Sequence, residues 1–143
     1  MAIPKTIILR SVNTPFQKEG AAASAITPGD ILERTSTGTL QRRSTADVTG
    51  PKLVANINDL LGKEITDDYA TSANVSAVYL SPGDEVYAFV AAAASAIIIG
   101  DDLSFDAAGG FAKAASGLVV ATALEAVDNS GGGSKARLRV EMI

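Results

Sequence analysis

The clearest strand of this sequence reads Lys135-Ala136-Arg137-Leu138-Arg139-Val140-Glu141 and is followed by Met142. Apolar residues occupy every second position from Ala136 to Met142 and charged residues lie between them, which is the two-residue period of a half-buried strand. Its predicted partner is segment 118–127, whose two faces are both largely apolar, as in a strand buried on both sides. The glycine-rich loop 128–134 joins the two segments. Together they predict an antiparallel hairpin that ends a mainly β chain.

One type of turn recurs along the chain. It reads Thr27-Pro28-Gly29-Asp30 and again Ser81-Pro82-Gly83-Asp84, and Gly100-Asp101 is a third Gly-Asp pair. Proline fixes φ at the second turn position, glycine accepts the positive φ that follows, and aspartate can hydrogen-bond the backbone beyond it. A strand is predicted after each turn, including a hairpin of 31–34 with 40–43. The uneven spacing excludes a solenoid, so the turns predict recurring corners of a small barrel.

The apolar period changes between Asp47 and Gly62, where a short helix is predicted. Five apolar side chains fall at helical spacing on one face, with Thr49 as a candidate cap, Pro51 in the first turn and Gly62 at the C-terminal end. The apolar members of this face are Leu53, Val54, Ile57, Leu60 and Leu61. After it, 63–76 reads as a loop that leads into a strand at 75–80. Segment 91–99 reads as an irregular connection or one helical turn, followed by a strand at 96–99.

The first 20 residues are predicted to form an extended arm, and residues 21–143 a single β-rich domain. Pro4 and Pro15 interrupt the segment, and 6–12 could form one strand. Chain termini stay mobile unless something holds them, and a neighbouring subunit could do so. An ordinary first strand or a frayed terminus is the alternative.

Composition excludes several classes of function. The chain has 143 residues and a net charge of −4, which argues against a nucleic-acid-binding protein, because such a protein normally presents a basic face. It contains no cysteine and no histidine, which removes disulfides, thiolate chemistry and the usual neutral-pH base. The longest apolar window, 89–99, is well short of the roughly 20 residues that span a bilayer. We therefore predict no membrane segment.

The remaining polar motifs do not predict catalysis. Asp101-Asp102 with Asp106, and Asp67-Asp68, could suggest a Ca²⁺ or Mg²⁺ site, but they lack the alternating spacing of an EF-hand loop. They are better explained as turn and strand-end carboxylates. The loop 130–135 lacks the Gly-Lys-Ser/Thr ending of a phosphate loop and precedes a strand instead of a helix. We predict no enzyme, no metal and no cofactor.

The cations of the last strand, Lys135, Arg137 and Arg139, form a row on one face. Like charges on one strand face repel each other unless something acidic lies opposite. The row could be a solvated face paired with Glu125 across the hairpin, or a charged interface with another subunit or a shell. The sequence leaves both readings open.

Residues 81–143 contain an ordered series of motifs, with a weaker echo at 27–43. The series consists of a Gly-Asp-x-Leu corner, a Gly-Gly turn, an apolar Ala-rich strand, a glycine-rich loop and a terminal Leu-Arg-Val strand. Its residues are Gly100, Asp101, Leu103, Gly110, Gly117, Val119, Ala121, Ala123, Glu125 to Val127 and Arg137 to Val140. In this order the motifs resemble those of the tailed-phage capsid decoration proteins, also called cement or head-stabilising proteins. The helix at 47–62 is not part of the family's pattern.

The resemblance implies a small β-barrel or β-tulip protein that trimerises on the outside of the expanded phage head. Such proteins bridge neighbouring major capsid protein subunits and thereby stabilise the virion. The expected partners are therefore the major capsid protein and further copies of this chain, assembled in the host cytoplasm. In the family the N-terminal segment often reaches the shell. The residues expected to do so here are Ile3, Pro4, Ile7, Ile8, Leu9, Arg10, Pro15 and Phe16.

Two alternatives remain open at this point. One is another phage structural protein of similar fold, in the tail, a fibre or the head. The other is a lipoyl or biotinyl carrier barrel, in which Pro-Gly-Asp-x-Val and Gly-Asp-x-Leu sequences also occur. Such a carrier needs a lysine at a tight hairpin tip, and the nearest candidate is Lys113.

Overall fold

The computed structural model describes residues 3–12, 16–45, 51–114 and 118–143. Across these residues the protein is mainly β and forms a single small domain, as the sequence predicts. One short 3-10 helix, Asp59–Leu61, interrupts the strands. The strands are β1 Ile8–Arg10, β2 Phe16–Ala21, β3 Ile31–Arg34, β4 Leu40–Arg42, β5 Leu53–Ala55, β6 Asn74–Tyr79, β7 Glu85–Val90, β8 Asp102–Phe105, β9 Phe111–Lys113, β10 Ala121–Ala123 and β11 Ala136–Met142.

A closed five-stranded barrel forms the C-terminal half. Its strands follow the order β7-β11-β10-β8-β9, and a single parallel pair, Val90 with Phe111, closes β9 back onto β7. The barrel confirms the antiparallel hairpin predicted at the end of the chain, because Ala123 of β10 lies opposite Val140 of β11. The longest pairing, however, joins β11 to β7. Strand β1 is added to the first half of β7 as an extra strand.

A second sheet packs against the barrel. Its order is β2-β6-β5-β3-β4, and it contains the predicted hairpin of β3 with β4. A parallel bridge between Ala22 and Leu40 joins its two outer strands. The sheet therefore curls around a core of its own and presents its other face to the barrel.

Two hydrophobic cores result, and the second sheet contributes to both. Along β5 the side chains alternate: Val54 enters the barrel core, while Leu53 and Ala55 enter the smaller core with Tyr69. Strand β3 does the same with Ile31 and Leu32. A strand buried on both faces loses the polar alternation that would identify it in a sequence.

The three Gly-Asp corners have the same local structure. In each, the glycine has a positive φ, and the aspartate side chain accepts a hydrogen bond from the N–H three residues earlier. The backbone N–H of the aspartate in turn donates to the carbonyl of that earlier residue, which closes the turn. The corners are residues 27–30, 81–84 and 98–101. The predicted positive φ of the glycine is confirmed at all three corners, whereas each aspartate bonds the backbone before it and not the backbone beyond, because its side chain closes the turn.

Glycine is needed at two of these corners for different reasons, which predicts unequal effects of substitution. Gly100 has a φ of +91° and open space around it, so Gly100→Ala should cost only backbone strain, about 1–2 kcal/mol. Gly29 has a φ of +100°, and an added Cβ would lie 2.6 Å from Arg137 Nη1 and 3.3 Å from the Tyr87 carbonyl oxygen. We expect Gly29→Ala to lower the free energy of unfolding more than Gly100→Ala does. Urea unfolding of both variants measures the difference, and equal losses would show that Arg137 is not confined at this corner.

The helix predicted over 47–62 is wrong where the structure describes the segment, which is from residue 51 onward. Residues Leu53–Ala55 form β5 between β3 and β6, and the 3-10 helix covers only Asp59–Leu61. Leu60 is 94% exposed, so the apolar face read from the sequence is not buried as a unit. The predicted cap Thr49 lies outside the described residues.

Two other predicted strands are shorter than expected. Segment 96–99 contributes only a bridge between Ile97 and Val127, because residues 98–101 form the third corner. Within 118–127 the strand is limited to Ala121–Ala123. The division at residue 20 also does not match a structural boundary, since β2 runs from Phe16 to Ala21 and pairs with β6.

Candidate functional site

Two cations of the row, Lys135 and Arg137, point at the second sheet of the same chain. Lys135 Nζ lies 2.5 Å from Oδ1 of Asp30, the aspartate of the first corner, whose side chain is fully buried. The Thr27 N–H donates to the other carboxylate oxygen at 2.8 Å. Lys135 Nζ also lies 4.2 Å from the centre of the Phe89 ring. The contact therefore fixes the first corner to the barrel wall.

Arg137 makes a second connection between the two sheets. Its guanidinium carbon lies 4.2 Å from the centre of the Phe89 ring and 5.7 Å from that of Tyr87. Its Nη2 donates to the Ile65 carbonyl oxygen at 2.9 Å, in the loop before β6. Nη1 lies beside Gly29. The positive φ and missing Cβ of Gly29 thus leave room for this side chain.

Arg139 pairs across the hairpin, as the sequence suggested. Its Nε lies 3.8 Å from Glu125 Oε2, and its backbone N–H donates to Glu125 Oε1 at 2.9 Å. The row is consequently not a solvated face, because all three cations contact groups of their own chain. What remains exposed of Lys135 and Arg139 is about a quarter of each side chain.

Burial changes the ionisation of these groups. Removal from water raises the pKa of Asp30 above its ordinary value, and the hydrogen bond from Lys135 opposes that rise. Burial likewise lowers the pKa of the Arg137 guanidinium. The Asp30 carboxyl group is thus held in a buried position by Lys135 and the Thr27 N–H.

The predicted arm residues are divided between core and surface. Ile7 is fully buried in the barrel core, so it cannot contact a shell while the protein is folded. Ile8, Leu9 and Arg10 form β1 on the edge of β7, and Arg10 lies 3.5 Å from Glu85. Ile3 is 78% exposed, while Pro4 is half-buried. Phe16 begins β2 opposite Tyr79, and Pro15 lies outside the described residues.

The aspartate of the second corner also holds β1 in place, a role that its turn motif does not predict. Asp84 of the second corner is buried and accepts hydrogen bonds from the Ser11 hydroxyl at 3.2 Å and the Val12 N–H at 3.0 Å. Its second oxygen accepts from the Ser81 N–H at 2.8 Å within the corner. Its place in the repeated turn was readable from the sequence, but its contact with Ser11 and Val12 was not.

The other carboxylates serve turns. Asp101 accepts the Ile98 N–H and lies 3.1 Å from Lys113 Nζ, and both contacts lower its pKa. Asp67 accepts the Glu64 N–H, and Asp106 accepts the Ala108 N–H. Among the residues that the structure describes, no three carboxylates come together as a metal site. Lys113 lies within β9 and not at a hairpin tip, which is not the position a carrier lysine needs.

Two further surface features were not read from the sequence. One is an apolar cavity of about 300 Å³ beside the end of β7, lined by Phe89, Val90, Ala91, Ala108 and Gly110 with Arg42 and Lys135 at its polar side. The other is a pair of exposed isoleucines, Ile98 and Ile99, at the third corner. Their chemistry suits contact with another protein surface.

The comparisons add no relative. No protein-family model matches the chain, and no curated protein is significantly similar to it. Over the described ranges, no helix has the length and hydrophobicity to cross a bilayer.

Proposed function

We propose that this protein is a structural virion protein that binds the outside of the expanded phage capsid as a homotrimer. In that role it cements neighbouring major capsid protein subunits. The proposal rests on the resemblance to the decoration proteins, and one structural observation supports it. The resembling residues within the described ranges belong to one barrel: Gly100 and Asp101 form a corner, Leu103 and Ala121 lie opposite each other, and 137–140 lie in β11.

The interactions between the two sheets suit a clamp. A cement protein must keep its shape while it holds subunits that internal pressure drives apart. Here the buried pair Asp30–Lys135 and the Arg137 contacts fix the second sheet to the barrel. A preformed surface also binds with less loss of conformational entropy than a flexible one.

The N-terminal segment supports the proposed shell contact in a modified form. Ile3 and Val12 are exposed aliphatic residues on either side of β1, while Ile7 and Asp84 anchor that strand to the barrel. The shell-binding element would then be an anchored strand with exposed flanks, and not a free arm of 20 residues. Deletion of the whole segment would remove β1 and β2 and would test folding instead of binding.

A point substitution tests the contact in the full chain. We expect Ile3→Asp to weaken co-sedimentation with expanded heads from the lysate in which the protein is made, by roughly tenfold or more, because an apolar contact is replaced by a charge. Leu61→Asp, at another exposed apolar residue, is the matched control and should bind like the wild type. Unfolding curves of both variants should overlay that of the wild type, since neither side chain is buried.

The particle to which the protein binds decides between the candidate functions. Wild-type protein that sediments with heads and major capsid protein supports the cement role. Protein found only on tails or fibres would instead identify it as a different structural protein, and protein that stays in the light fraction would overturn the proposal.

A further inference from the structure

The third corner differs from the other two in what covers it. An added Cβ at Gly29 would touch Arg137, and one at Gly83 would touch Val12, so the first two corners are packed against another part of the chain. At Gly100 the space within 4 Å is empty. In the described structure, the first and second corners are therefore covered by another part of the chain, and the third corner is uncovered.

The third corner also differs from the other two in the residues at its first two positions, which are exposed and apolar. The positions that hold Thr27-Pro28 and Ser81-Pro82 in the other corners hold Ile98-Ile99 here, and these isoleucines are 61% and 69% exposed. The turn geometry needs only the glycine and the aspartate, and a β-branched apolar pair is unusual for a turn. Turn chemistry therefore does not account for two adjacent exposed isoleucines.

The corner is held rigidly. The Ile98 N–H donates to Asp101 Oδ2 at 3.0 Å, the Gly100 N–H donates to the Ala123 carbonyl oxygen at 2.9 Å, and Lys113 pairs with Asp101. Ile97 is buried beneath it. An apolar projection fixed in this way loses little conformational entropy when it enters a partner.

The chain carries a cavity of suitable size and charge for this projection. The cavity beside Phe89 and Ala108 measures about 300 Å³ and its wall is almost entirely apolar. An apolar cavity of about 150 Å³ already holds a group the size of benzene, so an isoleucine side chain fits. Arg42 at its edge is exposed, and Asp102, which follows the third corner, is also exposed.

We propose that the Ile98–Ile99 corner of one copy inserts into the Phe89–Ala108 cavity of the next copy, with Asp102 facing Arg42. This contact joins two different surfaces of the same chain, so repetition closes a ring when the rotation permits it. It rests on the homotrimer proposed above and names the two surfaces that form it. The corner of each copy would then be covered, like the other two corners.

The sharpest test rewrites the third corner as the second. The double variant Ile98→Ser/Ile99→Pro creates the sequence Ser-Pro-Gly-Asp of residues 81–84 in the same turn. The Ile99 N–H makes no hydrogen bond within the described residues, and proline suits the second turn position, so the monomer should stay folded. Sedimentation equilibrium of purified wild-type protein should show a concentration-dependent trimer. In the variant we expect the dissociation constant to rise by roughly tenfold or more. At a dilution where both proteins are monomeric, the melting temperature of the variant should equal that of the wild type.

A matched control and a second variant test the two halves of the contact. Leu60→Ser/Leu61→Ser removes another exposed apolar pair and should leave association unchanged. Ala108→Leu fills the cavity from an exposed turn residue and should weaken association like the corner variant. For the charges, Asp102→Arg and Arg42→Asp should each weaken association by a few-fold, and the double exchange should restore it.

The outcomes separate this proposal from the proposed function, because association is measured without capsids. Wild-type protein that stays monomeric, or a corner variant that associates like the wild type, overturns the corner-in-cavity contact. Normal association of Ala108→Leu overturns the choice of cavity. Protein that forms the ring through these residues but does not bind heads would keep this contact and overturn the cement role.

Discussion

Asp30→Ala is expected to lower the free energy of unfolding by about 3 kcal/mol at neutral pH, because it leaves Lys135 without its buried partner. The substitution also removes the acceptor of the Thr27 N–H in the first corner. Lys135 is mostly buried over the Phe89 ring, so water can replace the lost carboxylate only in part. Urea unfolding at pH 7 gives the difference directly.

The loss of unfolding free energy caused by Asp30→Ala should depend on pH in a predictable direction. Burial raises the pKa of Asp30 in the folded protein above its ordinary value of 3.8, so the folded state binds this proton more tightly than the unfolded chain does. The additional stability that comes from binding this proton is therefore complete below the ordinary pKa and is lost as the pH rises through the folded pKa. The cost of Asp30→Ala given above for pH 7 is what remains after that loss. The cost of Asp30→Ala should consequently be larger at acid pH than at neutral pH. A cost that shrinks on acidification would contradict the raised pKa.

Two companion variants separate charge from shape at this position. Asp30→Asn keeps an acceptor for the Thr27 N–H and should cost less than Asp30→Ala, about 1 kcal/mol. The double variant Asp30→Asn/Lys135→Met removes both charges, and its unfolding free energy should recover towards the wild type, since an apolar replacement of a buried pair is often neutral. The double variant could instead lose as much unfolding free energy as Asp30→Asn and Lys135→Met lose together. In that case the attraction between the two charges contributes more to stability than their desolvation costs.

Leu53→Ala is the second large expected effect, at about 2–5 kcal/mol of lost unfolding free energy. Leu53 is 3% exposed in the core of the second sheet, and truncation leaves a cavity there. Leu60 belongs to the same apolar period in the sequence but is almost fully exposed, so Leu60→Ala should change stability by less than about 0.5 kcal/mol.

This pair of leucines distinguishes two structures of the segment. A helix with its apolar face in the core would make both truncations costly, whereas β5 followed by a 3-10 helix makes only the first costly. Denaturant unfolding of the two variants therefore tests the fold of 51–62. Similar losses in both would contradict the strand assignment.

The segment 51–62 shows why periodicity alone was misleading. A strand buried on both faces has no polar alternation, so Leu53 and Val54 next to each other resemble part of a helical face. Only the placement of β5 between β3 and β6, with a core on each side, gives both residues a buried environment. The same ambiguity affected Ile97 to Ile99, where one isoleucine is buried and two are exposed.

The partners of the three cations in the row were likewise predictable only in part. The spacing of Arg139 and Glu125 in a hairpin allowed their pairing to be predicted. The partners of Lys135 and Arg137 are Asp30 and the Ile65 carbonyl, which are 105 and 72 residues away in sequence. No local pattern links such groups, because the contact exists only when the second sheet packs on the barrel.

The sequence by itself determined the local features of this protein: the three Gly-Asp corners, the hairpin of β3 with β4 and the half-buried β11. These depend on φ preferences and on side-chain alternation, which act over a few residues. Only the tertiary structure decided that Ile7 enters the barrel core, that Lys135 and Arg137 connect the two sheets and that the third corner stands uncovered. Those outcomes depend on which distant surfaces exclude water from each other, and burial of that kind is a property of the assembled sheets.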